Sequence, residues 1–471
     1  MSTTLENPSV KPDLQEILKL SGDITIYSDS ETLQKYGHDE TEDFVFLPDA
    51  VILPHTVEAL SKVMRYAYEH NIYVTVRGGG SGLAGGALPV KAGLLISMEK
   101  FDQILLIDQK NLQVTVEPGV ITEVLQNKVN EFGLFYPPDP SSRGICFIGG
   151  NVATNAGGPK AVKYGVVKDY VLNLEVVLPN GEVIWTGANT LKNSTGYNLT
   201  QLMVGSEGTL GIITKIVLKL LPDPPFNLLL LVPFNSAENA CAAVSAIFRA
   251  GVIPSALEFM EREAIDWAVA YLKDVQLEIG PDVQAHLLIE VDGNHMDQLF
   301  SDCEKITEVV EGFGCGEILF ADNDAQKTEL WRLRRNVAHA VKLNSIYKEE
   351  DTVVPRAELP TLLRAVKEIG AKYGFRSVCY GHAGDGNLHV NIVKQELSDE
   401  MWNNVIQDGI AEIFQVVKSL NGTLSGEHGI GWVQKNYMPI MFSQVELDLM
   451  KGIKAVFDPK GILNPGKIFP D

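Results

Sequence analysis

The chain has 471 residues, 45% hydrophobic and 21% charged, a balance that packs cores and a length that exceeds one ordinary domain. A formal net charge of -21 argues against nucleic acid and anionic membranes as partners, and any anionic substrate must find a locally positive pocket. Cysteines at 146, 241, 303, 315 and 379 form no C-x-x-C pair, which argues against zinc ribbons and iron–sulfur clusters and for a reducing compartment, the cytoplasm.

Segment 1–14 carries Glu6 and Asp13, is broken by Pro8 and Pro12 and has no apolar core, so no signal peptide is expected. Behind Thr56, a candidate cap, Val57, Leu60, Val63, Met64 and Ala67 recur at helical spacing and predict a helix over 56–70. Residues 73–76, 94–97, 104–107 and 113–116 read as strands, and 120–132 as a helix stopped by Gly133. Strands over 171–178 and 183–186 flank the turn Pro179-Asn180-Gly181-Glu182. Three prolines between Leu221 and Pro225 mark a domain boundary. Beyond it, strands near 228–232 and 286–291 alternate with helices such as 237–250, as in a second α+β domain. The apolar run 227–234 suits a buried strand and is too short to span a membrane.

Three glycine clusters stand out. Arg77-Gly78-Gly79-Gly80-Ser81-Gly82-Leu83-Ala84-Gly85-Gly86 follows a predicted strand, and its glycines let backbone amides turn towards a phosphate. Gly80-x-Gly82-x-x-Gly85 matches a dinucleotide fingerprint, but residues 86–93 leave no room for the helix a nicotinamide-binding fold requires, so a strand–loop–strand cradle is expected. The second cluster runs from Ile148 to Gly158 behind Pro137-Pro138-Asp139-Pro140, and the third from Gly205 to Ile213. Three such segments, interleaved with Asn, Thr and Ser donors, suit a long ligand with several polar parts.

From about Val51 to Pro470 the chain resembles the vanillyl-alcohol oxidase/p-cresol methylhydroxylase superfamily, in its D-lactate dehydrogenase, glycolate oxidase catalytic subunit and D-2-hydroxyglutarate dehydrogenase branch. The resemblance implies an α+β chain: a two-part FAD-binding domain over 1–222, a substrate (cap) domain over 223–425 and a segment 426–471 returning to the FAD domain. It implies that Arg77, Gly78, Gly79, Gly80, Ser81, Gly82, Gly85 and Gly86 wrap the FAD pyrophosphate. Pro138, Asp139, Ser142, Gly149, Gly150, Asn151, Thr154, Asn155, Gly157 and Gly158 would line the isoalloxazine and ribityl region. Glu207, Gly211 and Ile212 would border the adenine, and Asn464 would touch the cofactor or active site. Many relatives attach FAD through a histidine in the first loop; Ser81 and the absence of histidine there lead us to expect non-covalent FAD.

A second constellation is Gly381-His382-Ala383-Gly384-Asp385-Gly386-Asn387-Leu388-His389-Val390-Asn391, where strands over 377–380 and 388–393 should form a hairpin. Strand alternation puts Asn391 on the face of His389, and two nearby imidazoles are plausible metal ligands. Ser425-Gly426-Glu427-His428-Gly429, after a helix predicted over 402–420, offers a carboxylate; two histidines and one carboxylate suit zinc or iron(II). His38, His55, His70, His286, His295 and His339 read instead as structural.

The resemblance assigns His382, His389 and Glu427 as ligands of a divalent metal, taken as zinc, and His428 as the catalytic base. Arg334, Lys348 and Asn391 become substrate contacts, although the sequence leaves open whether Arg334 or Arg335 points inward. The implied reaction oxidises a D-2-hydroxy acid to the 2-oxo acid: the metal acidifies the hydroxyl, His428 takes its proton and hydride passes to flavin N5. Hydroxyglutarate enzymes place a threonine where this chain has Ala338, which ranks D-lactate or glycolate above D-2-hydroxyglutarate. The alternatives are the hydroxyglutarate activity, an oxygen-using oxidase, a metal-dependent hydrolase with a nucleotide-binding domain, and a non-catalytic flavin subunit. Lacking iron–sulfur motifs, the chain needs an external electron acceptor or partner subunit; a homodimer is left open.

Overall fold

In a computed structural model that describes residues 11–41, 44–275, 277–321 and 323–470, the strands of the first half divide between two main sheets. Residues 1–10 of the segment read as lacking a signal peptide lie outside the described residues. Ala50–Pro54, Leu94–Ser97 and Val74–Arg77 pair in parallel, with Ile24–Tyr27 antiparallel at the edge. Helix Val57–His70 lays Leu60, Val63, Met64 and Ala67 on this sheet. Thr56 Oγ1 accepts from the Ala59 amide at 3.2 Å, a cap worth about 1 kcal/mol. Strands Val74–Arg77 and Leu94–Ser97 are joined by the first glycine loop with no helix between them, as the spacing required.

A five-stranded antiparallel sheet follows, in the order Ile104–Asp108, Gln113–Val116, Ile212–Lys219, Val171–Val177, Val183–Trp185. Leu125 and Val129 of helix Thr122–Asn130, with Ile148 and Val152 of helix Ile148–Thr154, fill its core. The second glycine cluster therefore opens as a helix, which its glycine content hid.

At the proline-rich boundary, Leu221–Pro222 pairs briefly with Leu134–Phe135 before Phe226–Phe234 enters a seven-stranded antiparallel sheet. The order is Leu319–Ala321, Phe226–Phe234, Ala285–Gly293, Ala256–Glu261, Arg376–Gly381, Asn387–Val393, Tyr347–Val353. Alternation along these strands sorts the side chains. Leu257, Phe259, Leu287, Ile289, Val390 and Ile392 face one way, onto helices Ala237–Arg249, Leu359–Tyr373 and Ile406–Ser419. The opposite face presents Glu258, Tyr380, His389, Asn391, Glu349 and Asp351, and is apolar where helices Arg262–Leu272, Asp324–Arg335 and Val337–Asn344 cover it. The helix expected over 402–420 begins at Ile406, preceded by a π-turn at Met401–Val405.

The segment 426–471 divides. Met438 and Leu447 pack into the cap core, whereas Ile462 and Leu463 pack into the first-half core. The Val74 amide donates to Ile462 O (2.8 Å) and the Asn464 amide to Val74 O (2.7 Å), so this segment joins the four-stranded sheet. Among the described residues no helix is long and apolar enough to cross a membrane.

Candidate active site

The two halves enclose a cavity of about 490 Å³, within the range of cofactor and ligand sites. Of the residues expected to bind FAD, 78–82, 86, 142, 149–151, 154, 207, 211, 212 and 464 line it; Arg77, Gly85, Pro138, Asp139, Asn155, Gly157 and Gly158 do not reach its wall. Among the described residues, no amide from 79 to 84 donates to the protein, leaving those donors for a ligand. Gly80 has φ +73°, and a Cβ there would collide with the Arg77 guanidinium. That guanidinium is turned into the protein, where Nη1 donates to His38 O at 2.6 Å, so Arg77 braces the loop from behind. Glu207 is a strut as well as a lining residue: its carboxylate accepts from the amides of Ile430 and Gly431 (2.8 and 2.7 Å). Asn464 Nδ2 donates to Glu207 O at 2.7 Å and its Oδ1 accepts from the Val76 amide at 3.2 Å. An open pocket, glycine backbone and free amides fit a long phosphate-bearing cofactor.

At the cap end of the cavity the expected metal ligands converge. One donor atom each from His382, His389 and Glu427 lies within 4.8 Å of the others. His382 Nε2 is 3.1 Å and His389 Nε2 3.6 Å from Glu427 Oε1, and Glu427 Oε2 is buried without a partner. Pairing Tyr380 with His389 across the hairpin puts His389 on the sheet, while His382 lies just past its strand in the connecting turn. Gly157, from the first half of the chain, packs against Glu427; a Cβ there would sit 2.9 Å from Glu427 Oε2.

Asp351 organises the loop carrying Glu427 and His428. Its Oδ2 accepts from Ser425 Oγ (2.7 Å) and from the amides of Gly426 (2.8 Å), Glu427 (2.8 Å) and His428 (3.0 Å). Oδ1 accepts from Asn387 Nδ2 at 2.7 Å. Burial pushes the Asp351 carboxyl up, but His428, His389 and the loop amides outweigh it and hold the group far below the carboxylate range. The His428 ring stacks on His389 (centroids 5.1 Å apart, 17° between planes) and faces the cavity. Burial lowers its basicity, and Asp351, Glu349 and Glu427 more than restore it. Burial likewise raises Glu349 to about 7.

Arg334 is 3% exposed. Its Nη2 lies 2.6 Å from Glu258 Oε2 without hydrogen-bond alignment, so Nε and Nη2 have no acceptor on the protein. The guanidinium sits over the Tyr380 ring, 5.3 Å from its centroid. Arg335 instead binds Asp139 Oδ2 at 2.6 Å, tying the second half of the chain to the first, while its Nη1 is unpartnered. Ala338 is on the wall, and so is His339, which the sequence had assigned a structural role.

Two expected substrate contacts, Lys348 and Asn391, do not line the main cavity. Lys348 alternates with Tyr347 and Glu349 along its strand; it lines a small adjoining cavity of about 50 Å³, which shares Glu40, Leu83, Tyr347 and Glu349 with the main one, and its ammonium lies 5.2 Å from the Trp402 ring centroid. The charge run 347–351 gives no clue to which alternate set faces inward. Asn391 is on the His389 face but fully buried: Nδ2 donates to Val378 O (3.3 Å) and Oδ1 has no partner.

Sequence reasoning missed Glu258, Glu349 and Asp351. The available signal was acid placed mid-strand among apolar residues, as in Ala256–Glu261. Two buried acids, Glu258 and Asp351, and two half-buried ones, Glu349 and Glu427, face one buried arginine, and two histidines and a carboxylate offer a donor set open on the cavity side. That charge balance and donor chemistry fit a divalent cation.

Residues 48–187 match the family model described as FAD binding domain, and residues 223–468 that described as FAD linked oxidases, C-terminal domain. The chain is 38% identical to "Glycolate oxidase subunit GlcD" of Bacillus subtilis, covering 97% of this chain and 96% of that one. It is 37% identical to "D-lactate dehydrogenase" of Anaerostipes hadrus, covering 98% of both. The crystal structure of p-cresol methylhydroxylase with substrate bound superposes with a TM-score of 0.80 at 19% identity, over 97% of this chain and 96% of that one, and shows the shared fold.

Proposed function

The chain belongs to the FAD-linked oxidases, and from that premise we propose that it oxidises a small D-2-hydroxy acid, D-lactate or glycolate before D-2-hydroxyglutarate, to the 2-oxo acid. The observation that carries this reading is the meeting of His382, His389, Glu427, His428 and Arg334 at one end of the glycine-lined cavity. FAD, bound there without a covalent link, supplies the acceptor for the substrate's hydride. A divalent metal, zinc in our assignment, held by His382, His389 and Glu427, supplies Lewis acidity towards the hydroxyl.

The protein's own groups do the rest. Arg334 offers unpartnered donors to the substrate carboxylate, resolving the conflict between an anionic substrate and a chain of net charge -21. His428, fixed by the Asp351-bound loop and stacked on His389, accepts the hydroxyl proton on its cavity-facing ring. Ala338 on the wall brings no hydroxyl to a distal carboxylate, which favours the smaller acids. An external acceptor or a partner subunit would take up the electrons. Family membership leaves no support for the hydrolase alternative.

The test is anaerobic: D- and L-lactate, glycolate and D-2-hydroxyglutarate are mixed with the FAD-loaded protein and flavin absorbance is followed. Bleaching by D-lactate or glycolate is expected, and failure of every 2-hydroxy acid refutes the proposal. Slow reoxidation by oxygen is expected of a dehydrogenase; fast reoxidation makes the protein an oxidase.

A further inference from the structure

We propose that Glu258 is a positioning residue that couples the metal site to the substrate-binding arginine, by holding His382 and Arg334 on one carboxylate. The inference rests on the function proposed above.

Glu258 lies in Ala256–Glu261, a strand paired on both sides, and is 0% exposed. An ionised carboxylate in such a place costs several kcal/mol unless neighbours compensate it. The neighbours come from two further elements. Both Glu258 oxygens lie 2.9 Å from His382 Nδ1, and Oε2 is also 2.6 Å from Arg334 Nη2 of helix Asp324–Arg335. With Nδ1 donating its proton to Glu258, His382 presents the Nε2 lone pair towards Glu427, 3.1 Å away. A carboxylate behind an imidazole in this way fixes its tautomer and orientation and raises its basicity as a ligand.

The two expected histidine ligands differ in how much they need such support. His389 is within a strand and stacks on His428; its Nδ1 is 3.3 Å from Glu349 and 3.6 Å from Asp351 but makes no hydrogen bond. His382 lies outside its strand with φ -85° and ψ 74°, and Glu258 is its one partner on the Nδ1 side among the described residues. The His382 ring also meets Glu427 at Nε2 and the edge of His389 (centroids 5.4 Å apart), but on the Nδ1 side its orientation rests on Glu258. The same carboxylate balances the charge of the buried Arg334 guanidinium at 2.6 Å while leaving Nε and Nη2 free to donate towards the cavity, so disturbing Glu258 disturbs both metal and substrate binding.

Glu258→Gln keeps the size and removes the charge. In FAD-loaded protein titrated with zinc under chelator competition, zinc affinity is expected to fall by about 10- to 100-fold. With zinc saturating, KM for the hydroxy acid is expected to rise at least fivefold while FAD content is unchanged. A carboxylate that only neutralises buried charge would lower stability and leave both readouts alone; zinc affinity and KM within twofold of the parent overturn the proposal. Parent protein and His382→Ala are run alongside. If the parent takes up no stoichiometric metal, or His382→Ala binds zinc as well as the parent, the metal reading falls and this inference with it. If those controls behave and Glu258→Gln matches the parent, the inference alone falls. Should Glu258→Gln not fold, ring-¹⁵N histidine NMR of the zinc-loaded parent decides. A slowly exchanging proton on His382 Nδ1 is expected, and an Nδ1 that carries none overturns the role of Glu258.

Discussion

Replacing Asp351 by asparagine tests how the loop bearing Glu427 and His428 is held. Oδ2 collects four donors at 2.7–3.0 Å, three of them amides of consecutive loop residues, and Oδ1 collects Asn387. Asparagine has one acceptor oxygen. Placed among the four donors, it leaves its own amino group facing Asn387 Nδ2; turned over, it sets an amino group against four donors. A hydrogen bond to an ionised acceptor contributes about 1.5–3 kcal/mol against about 0.5–1.5 for a neutral one, so four downgraded bonds lose roughly 4 kcal/mol. If half of that appears as misplacement of Glu427 and His428, kcat/KM falls by about 30-fold, at about 1.4 kcal/mol per tenfold. Anaerobic stopped-flow of flavin reduction by D-lactate or glycolate measures it, with FAD content and circular dichroism as controls. A folded, FAD-loaded Asp351→Asn within threefold of the parent would refute this account of the loop.

Further outcomes follow from the same geometry. His428→Asn should slow flavin reduction by about 10²–10⁴-fold with the flavin spectrum intact; an undiminished rate assigns the proton to another group. Chelation should abolish bleaching by hydroxy acids and added zinc or manganese should restore it, whereas full activity in metal-free protein removes the metal from the reaction. Acid precipitation should release all flavin to the supernatant. Flavin retained in the pellet would mark a covalent bond, with Cys146 and His339, both on the cavity wall, the first residues to examine. Burial, with Arg262 beside it, pushes His286 down to about 4 from 6.5, so the fold accepts its neutral form. That stabilisation is complete above pH 6.5 and is lost as pH falls towards 4, a swing of at most about 3 kcal/mol. Denaturation midpoints at pH 7 and 4.5 should therefore converge in His286→Leu, and an unchanged gap rules His286 out.

Local signals reached most of the scaffold. The helix over 56–70 begins at its cap, and the absence of room after Gly86 correctly excluded a helix between two parallel strands. Glycine-flanked histidines separated by one hairpin are also local, so His382 and His389 could be paired before any coordinates, whereas Glu427, 38 residues further on, came in through the family resemblance. What escaped depends on partners far along the chain. Glu258 and His382 are 124 residues apart, and nothing in a strand reading ALEFME marks the acid as more than one polar position. Arg77 beside glycines reads as a phosphate ligand; its contact with His38 O, 39 residues earlier, reverses its direction. Lys348 and Glu349 are adjacent in an unbroken charge run, and only pairing with Asn387–Val393 decides which one faces the cavity.

The stitching of residues 462–467 into the first-half sheet bears on how the protein is made. Lys467 Nζ donates to the carbonyls of Gly85 and Leu88, both at 2.7 Å, across sequence separations of 382 and 379 residues. On a ribosome, the glycine loop therefore emerges long before the bridging residues 462–464 and the lysine that complete its support, and the entire cap must be synthesised between them. Contacts of such long range slow folding and leave sheet edges exposed meanwhile. Flavin capture should thus be a late event, following rather than guiding collapse of the nascent chain, and supplying FAD during expression should raise the loaded fraction less than slowing synthesis does.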